Sequence, residues 1–219
     1  MAHVTESTPK TWTAADVVAR FGAIPLNRIR HDPPPGSGTV EDVVRLDAHE
    51  DRLYELIDGV LLEKTVGAFE SYLAATMVYL IRTFLANNDV GIVLGEGGML
   101  QLLDDQVRIP DVAFISWGRL PNGRFPDDAV PGLVPDLAVE ILSKSNTPQE
   151  MQGKLQDYFT AGVRLVWYVD PQPRQVLVYT SPDDMQTLTE DDTLDGGEVL
   201  PGLTIDLKSF FAWPEKSEA

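Results

Sequence analysis

The chain has 219 residues, of which 43% are hydrophobic, so it is long enough for one domain with a real core plus extensions. It contains no run of about 20 apolar residues, and its first residues, MAHVTESTPKTW, include no apolar stretch. We therefore expect neither a transmembrane helix nor a secretory signal. Cysteine is absent, which excludes disulfides, thiolate catalysis and cysteine-based zinc sites and suits a cytoplasmic protein.

The net charge is −17, from 34 acidic and 17 basic residues, and it works against long-range attraction of nucleic acid. The chain has three histidines, His3, His31 and His49, which are scattered over its first quarter. A histidine-rich metal site is therefore not expected. Any metal would be held by carboxylates, which favours a hard ion such as Mg²⁺ or Mn²⁺.

Residues 1–52 are predicted to form an N-terminal extension. A short helix is expected from Ala14 to Phe21, because Thr13 can cap its start and Gly22 ends it. The sequence HDPPPGSG that follows is typical of a linker. A second short helical stretch begins at Thr39.

The compact domain is predicted to span residues 53–211, followed by a flexible tail at 212–219. The segment LYELIDGVLLEKT predicts a β-hairpin, because Asp58-Gly59 is a strong turn signal. A long helix is expected from Phe69 to Asn87, where apolar residues recur at helical spacing. The strands VGIVLG and MLQLL follow. We interpret the glycine-rich GEGGML between them as a turn, because it lacks dinucleotide-binding spacing.

A single strand, VRIPDVAFIS, is predicted next, and a proline-rich loop leads to a second apolar strand, DLAVEIL. The following helix has Thr147 as its N-cap, Pro148 at its first position and Glu150 placed to complete a capping box, and it ends at Gly162. Two more strands, VRLVWYVD and QVLVYTS, flank a turn. This order predicts an α/β fold, in detail an α+β arrangement with one mixed sheet and flanking helices.

Two acids stand within otherwise apolar segments, Asp111 in RIPDVAFIS and Glu140 in DLAVEIL. A carboxylate buried in a central strand is costly unless it is paired or binds a metal. If the two strands are neighbours, the acids could share a divalent cation. Strand alternation puts Asp136 on the same face as Glu140, so it is a reserve candidate. The alternative for Asp111 is a simple ion pair with a basic neighbour such as Arg108.

Other polar and aromatic residues are ambiguous from sequence. Lys154 lies at the edge of the apolar stripe of its helix, and a side chain there extends to water more often than it folds inward. Glu55, next to Tyr54 in the hairpin, would ordinarily face solvent. Tyr168 and Tyr179, like two tryptophans nearby, could stack on nucleobases, although aromatics in such strands are more often core residues.

The stretches YELIDG, RIPDVAF with its Pro110-Asp111 pair, PDLAVEILSKSNT and KLQDYFTAGVRLVWYVDP resemble the Uma family of putative restriction endonucleases. This is a domain-of-unknown-function family within the PD-(D/E)XK nuclease superfamily. The resemblance covers residues 53–179 and implies a restriction-endonuclease-like core. In two places the chain departs from the pattern. Leu142 stands where the superfamily motif has its lysine, and AFESY lacks the histidine that many family members carry early in the long helix.

The resemblance also implies roles for individual residues. Asp111 would be the aspartate of the PD pair and Glu140 the acid of the (D/E)XK element. Lys154 would supply the missing lysine from the following helix. Glu55 matches the acid of the first element, so Asp111, Glu140 and Glu55 would together hold Mg²⁺ or Mn²⁺, and all four residues would be catalytic.

The implied function is a Mg²⁺-dependent endonuclease that hydrolyses DNA phosphodiester bonds. The metal would activate water and neutralise charge on the phosphate, and Lys154 would orient the water or stabilise the developing charge. One alternative is a catalytically inactive binding or interaction protein on a nuclease fold. Another is an enzyme that depends on a partner for its DNA contacts. A homodimer is expected, because cutting both strands needs two sites, and no membrane partner is expected.

Overall fold

The structure, a computed structural model, describes residues 12–212 of the chain. The helices are α1 (Ala14–Phe21), α2 (Val40–Asp47), α3 (Ala68–Leu85), α4 (Pro148–Ala161) and α5 (Leu207–Phe211). The strands are β1 (Tyr54–Ile57), β2 (Val60–Glu63), β3 (Gly91–Leu94), β4 (Leu100–Leu103), β5 (Gln106–Arg108), β6 (Val112–Ser116), β7 (Leu137–Ile141), β8 (Leu165–Asp170), β9 (Gln175–Ser181), β10 (Asp184–Thr189), β11 (Thr193–Asp195) and β12 (Thr204–Asp206). Apart from its first residue, the tail predicted at 212–219 lies outside the described residues.

The centre of the fold is a six-stranded sheet in the order β10-β9-β8-β7-β6-β3. Strands β7 and β8 run parallel and the other neighbours run antiparallel, so the predicted mixed sheet is confirmed. Apolar residues of α3, such as Met77 and Ile81, pack on one face of the sheet. Residues of α4, such as Leu155, pack on the other. The predicted flanking helices are therefore present, and no helix within residues 12–212 is long and apolar enough to cross a membrane.

A second, four-stranded antiparallel sheet has the order β2-β1-β5-β4, so the prediction of one sheet was too simple. Its hairpin turns at Asp58 and Gly59, as predicted. Both residues have positive φ angles, 50° and 76°, which is the backbone that an Asp-Gly pair favours in a tight hairpin.

The segment VRIPDVAFIS is two strands in different sheets, and the prediction of one strand was wrong. Strand β5 ends at Arg108 in the four-stranded sheet, and β6 begins at Val112 in the six-stranded sheet. Pro110 stands between them. It has no N–H to donate to a strand partner and its φ is restricted, so pairing stops there. Asp111 therefore lies at the junction of the two sheets rather than in the middle of a strand.

The described part of the N-terminal extension packs on the rest of the chain. Helices α1 and α2 form where predicted, and each begins with a threonine capping box. Helix α1 contacts α4, and Arg20 Nη2 donates to both carboxylate oxygens of Asp157, at 2.9 and 2.7 Å. Ile29 forms a β-bridge with Leu62 of β2. The division of the chain at residue 53 stays a prediction.

Helix α4 begins and ends where predicted. Thr147 Oγ1 accepts the N–H of Glu150 at 3.1 Å, and Gly162 ends the helix in a left-handed conformation with φ of 97°. The predicted capping box is wrong in one respect. The Glu150 carboxylate does not return to the cap, because Arg28 binds it at 2.8 and 3.2 Å. The N-terminal segment is thus tied to the start of α4.

Candidate active site

Strand β7 presents Glu140 to helix α4. Leu137, Val139 and Ile141 belong to the core under α3, whereas Ala138 belongs to the core under α4. Because successive side chains of a strand point to opposite faces, Glu140 lies on the α4 side with Ala138. Only 5% of its surface is exposed. A carboxylate at this depth needs polar partners, and α4 supplies them.

Lys154 of α4 points into the protein. Its ammonium nitrogen lies 3.0 Å from Glu140 Oε2 and 3.1 Å from Glu55 Oε1. The sequence favoured an outward side chain for Lys154, and the structure corrects this. The two buried carboxylates supply the charge that holds the ammonium group inside.

Asp111 reaches the same place from the junction of the two sheets. Its Oδ2 accepts the backbone N–H of Ile141 at 2.6 Å, which fixes the carboxylate beside Glu140. Its Oδ1 lies 2.6 Å from Lys64 Nζ. The ion pair with a basic side chain that sequence offered as the alternative is therefore present, but its partner is Lys64 rather than Arg108, which binds Glu55 and Asp157.

Glu55 is 3% exposed, although its position in a hairpin strand indicated a solvent-facing side chain. Its Oε2 accepts from Arg108 Nη1 at 2.8 Å, and its Oε1 accepts the N–H of Ile109 at 3.0 Å. Burial favours the neutral acid, but Lys154, Arg108 and Lys64 outweigh it and hold the pKa of Glu55 below its ordinary value. Glu55 is thus an ionised anchor for Lys154 and Arg108, and its role as a metal ligand stays a prediction.

The reserve candidate Asp136 is not part of this cluster. Its Oδ2 accepts the N–H of Ser116 at 2.9 Å, and its Oδ1 accepts from Arg119 Nε at 3.1 Å. It lies just before β7, whereas Glu140 is near the end of that strand.

The predicted residues Glu55, Asp111, Glu140 and Lys154 all line one cavity of about 30 Å³. Five further charged residues of this cavity were not predicted as site residues: Arg28, Lys64, Glu70, Glu96 and Glu150. Glu96 stands alone among the glycines of GEGGML, and Lys64 follows β2 directly. An acid in a glycine turn and a lysine after a buried strand were weak signals that a sequence search could have used.

The cavity carries an excess of negative charge. Six carboxylates and three cations line it, which leaves a formal charge of −3. Glu96 Oε2 accepts from Ser71 Oγ at 3.0 Å, but its buried Oε1 has no hydrogen-bond partner in the described part of the chain. A volume of about 30 Å³ exceeds the roughly 10–15 Å³ that one water needs. These features suit a small cation.

The donors that face the cavity fit a hard divalent ion. Mg²⁺ is commonly held by one or two carboxylates, with waters and substrate phosphates completing its shell. Asp111 and Glu140 could provide two such carboxylates. Within residues 12–212, no three acidic or histidine side chains are arranged to hold a metal among themselves. A site of this kind would therefore need water and phosphate oxygens as its other ligands.

The charges of the cluster hold Lys154 protonated. Burial alone would lower the pKa of its ammonium group, but the Glu140 and Glu55 carboxylates outweigh burial and raise it above the ordinary value. Glu140 shows the opposite balance. Burial raises its pKa, and Lys154 does not fully offset this because Asp111 and Glu55 add further negative charge. The Tyr158 hydroxyl donates to Glu140 Oε1. Neighbouring buried groups whose pKa values are shifted in this way are typical of functional sites.

Comparison with solved structures gives the fold. A crystal structure of a putative nuclease belonging to DUF820 from Anabaena variabilis ATCC 29413 matches with a TM-score of 0.68 and 20% sequence identity. The match covers 80% of this chain and 99% of that chain. At this identity the match shows the fold, which is restriction-endonuclease-like.

Comparison with family sequences then gives the family. Residues 40–208 match Uma2, described as a putative restriction endonuclease family, over more than half of the chain. The chain belongs to this family, and the resemblance inferred from its motifs is confirmed. The comparison with curated proteins finds no match.

Proposed function

We propose that this protein is a metal-dependent endonuclease that hydrolyses DNA phosphodiester bonds at the cavity lined by Asp111, Glu140 and Lys154. The observation that carries the proposal is the convergence of Lys154 Nζ on Glu140, at 3.0 Å, in a cavity that Asp111 also lines. Membership of a family described as putative restriction endonucleases supports a nuclease. Proteins of this class generally use a divalent metal ion.

In this proposal Asp111 and Glu140 hold Mg²⁺ or Mn²⁺. When bound, the ion supplies Lewis-acid stabilisation of the phosphate and lowers the pKa of the attacking water. The Ile141 N–H and the Tyr158 hydroxyl hold the two carboxylates in fixed orientations through their hydrogen bonds. Carboxylates fixed in this way need little reorganisation when the ion and the phosphate enter.

Lys154 acts as a cation rather than as a base. Its raised pKa keeps the ammonium group charged at neutral pH, so it cannot accept a proton from water there. It can instead donate a hydrogen bond to the attacking water or to the phosphate oxygen on which negative charge develops. Glu55 also positions Lys154, because its Oε1 lies 3.1 Å from the ammonium nitrogen.

One feature favours the alternative, an inactive nuclease-fold protein that binds a partner. Both Asp111 oxygens already have a donor within the chain, Lys64 on one and the Ile141 N–H on the other. If Lys64 kept this position in the presence of a metal, the ion could not use that oxygen freely. The acidic chain would also need local contacts, or a partner protein, to hold DNA.

A plasmid-nicking assay with Mg²⁺ or Mn²⁺ separates the two functions. We expect the wild-type protein to nick supercoiled DNA, EDTA to stop it, and Asp111→Ala to abolish it. Asp105→Ala, which removes an exposed aspartate in the turn between β4 and β5, is the matched control and should keep wild-type activity. Activity that survives Asp111→Ala would reject the site, and no nicking by folded wild type in either ion would favour the inactive protein.

We also propose that the protein is a cytoplasmic homodimer. Two copies would supply the two sites that a cut through both strands requires. Light scattering with size-exclusion chromatography would measure the mass of the particle. A mass of about 24 kDa, that of one chain, at micromolar concentration would reject the dimer. Recovery of the tagged protein outside the cytoplasmic fraction of its cell would reject the location.

A further inference from the structure

An open groove of about 800 Å³ lies beside the carboxylate cavity. The two share five lining residues, Thr65, Val66, Glu70, Ser143 and Asn146, so the groove leads directly to the cavity. Its volume lies within the roughly 300–1,000 Å³ of ordinary small-molecule sites. A substrate group next to the reacting bond could therefore occupy the groove.

The wall of the groove is aromatic and apolar. Tyr168 and Tyr179 meet edge to face, with their ring centroids 5.4 Å apart. The Tyr168 hydroxyl donates to the carbonyl of Met151 at 2.8 Å, which fixes its ring. Tyr179 is half-buried, so part of its side chain faces the groove. Leu142 and Leu177 add apolar surface beside the two rings.

The charge of the groove disfavours phosphate. Lys144 is the single cation among the described residues that line it, against the carboxylates of Glu70 and Asp170. An anionic sugar–phosphate chain gains nothing from such a lining. An uncharged, flat group gains stacking on the half-buried Tyr179, which Tyr168, 3% exposed, supports from behind. The amides of Gln152 and Gln172 can bond to the polar edge of such a group.

We propose that this groove binds an unstacked nucleobase next to the scissile phosphate, so that the substrate class is DNA with unpaired nucleotides. The inference rests on the proposed endonuclease function and specifies its substrate. In a duplex the bases are stacked inside and cannot reach Tyr179, whereas single strands, flaps, loops and the locally unpaired stretches of a supercoiled plasmid present them freely. The net charge of −17 also favours a single strand over a duplex, because a duplex carries twice the negative charge per length and is repelled more strongly.

Binding without metal tests this inference separately from cleavage. The full chain in EDTA is titrated against a fluorescein-labelled 20-nucleotide single strand and against the blunt duplex of the same sequence, and anisotropy is measured. We expect the single strand to bind at least about tenfold more tightly. Equal binding of the two DNAs, tighter binding of the duplex, or binding of neither would overturn the inference.

Three variants locate the contact. Tyr179→Ala should weaken single-strand binding about tenfold, because it removes one stacking platform. Tyr179→Phe keeps the ring and should bind like wild type. Tyr79→Ala, which removes a tyrosine that is 67% exposed on α3 outside the groove, is the matched control and should also bind like wild type. Equal effects of Tyr179→Ala and Tyr79→Ala would overturn the assignment.

A measurement on wild type guards against a misfolded variant. A strand that contains 2-aminopurine should lose fluorescence on binding when the base stacks on tyrosine, and unchanged fluorescence in the bound complex would overturn the inference.

The proposed endonuclease function can fail independently of the groove assignment. If the protein prefers single strands and quenches the 2-aminopurine fluorescence but does not cleave DNA with any metal ion, the groove assignment holds and the nuclease function is rejected. If plasmid is nicked but duplex binds as well as single strand, only the groove fails.

Discussion

Two buried acids near the opposite ends of β7 have different environments. Asp136 and Glu140 are 3% and 5% exposed. The pKa of Asp136 is lowered, because hydrogen bonds from Ser116 and Arg119 outweigh the effect of burial. The pKa of Glu140 is raised by burial and by the neighbouring carboxylates, despite Lys154. The burial of an acid therefore does not identify a site. A cavity lined by an unbalanced group of charges does identify a site. Such a group lowers the stability of the fold, whereas a buried acid with balanced partners does not.

The largest difference between the two ends should appear in stability. Arg108 is 1% exposed and binds both Glu55 and Asp157. Arg108→Met leaves two buried carboxylates without this partner, and we expect the free energy of unfolding to fall by about 3–5 kcal/mol. Arg119→Met at the Asp136 end should cost about 1 kcal/mol, because Arg119 is partly exposed and the Ser116 N–H remains. Urea denaturation measures both, and equal losses would remove the distinction.

The second difference concerns cleavage. Glu140→Gln removes one of the two proposed carboxylate ligands and one partner of Lys154, so we expect plasmid nicking to slow by about 10²–10³-fold. Asp136→Asn is the matched control, because it neutralises an equally buried acid outside the cavity. Its nicking rate should stay within about threefold of wild type when measured well below its melting temperature. A loss in Asp136→Asn as large as that in Glu140→Gln would contradict the assignment.

The smallest effect is a difference in pH dependence. Because folding raises the pKa of Glu140, the folded state favours its neutral form, and this favourable contribution is complete below the unfolded pKa of about 4.3 and lost as pH rises. Glu140→Gln imitates the neutral form, so its stability relative to wild type should increase from pH 4 to pH 7. Asp136, whose pKa folding lowers, contributes stability above about pH 3.9 and loses it in acid. Asp136→Asn should therefore remain less stable than wild type by a nearly constant amount from pH 4 to pH 7, in contrast to the rising curve of Glu140→Gln.

Thermal melts of the two variants and wild type at pH 4, 5.5 and 7 would measure these trends. Parallel pH curves for the two variants would contradict the opposite environments inferred for the two acids.

Much of the fold could be predicted because its signals are local. The Asp58-Gly59 turn, the helix between Thr147 and Gly162, and the strand alternation that places Glu140 under α4 each depend on a few adjacent residues. The strand break at Pro110 also had a local signal, a proline inside a strand pattern, and it went unused.

The site was harder to predict because its contacts are distant in sequence. Lys154 folds inward because the carboxylates of Glu55 and Glu140 attract its ammonium group. Glu55 lies 99 positions earlier in the chain. Nothing within the helix of Lys154 indicates a buried carboxylate on the facing sheet. Lys64 and Arg28 join the cavity through pairings with Asp111 and Glu150, which only the assembled sheets bring together. Residue type alone therefore favoured an ordinary exposed lysine at position 154.

The most direct test of the proposed active site is the nicking rate of Lys154→Gln in Mg²⁺, measured at a temperature at which circular dichroism shows the variant to be folded. Lys208→Gln, which changes a lysine that is 75% exposed on α5, is the matched control. We expect Lys154→Gln to slow nicking by at least about 100-fold and Lys208→Gln to leave the rate unchanged. Undiminished, EDTA-sensitive nicking by Lys154→Gln would contradict the proposed active site.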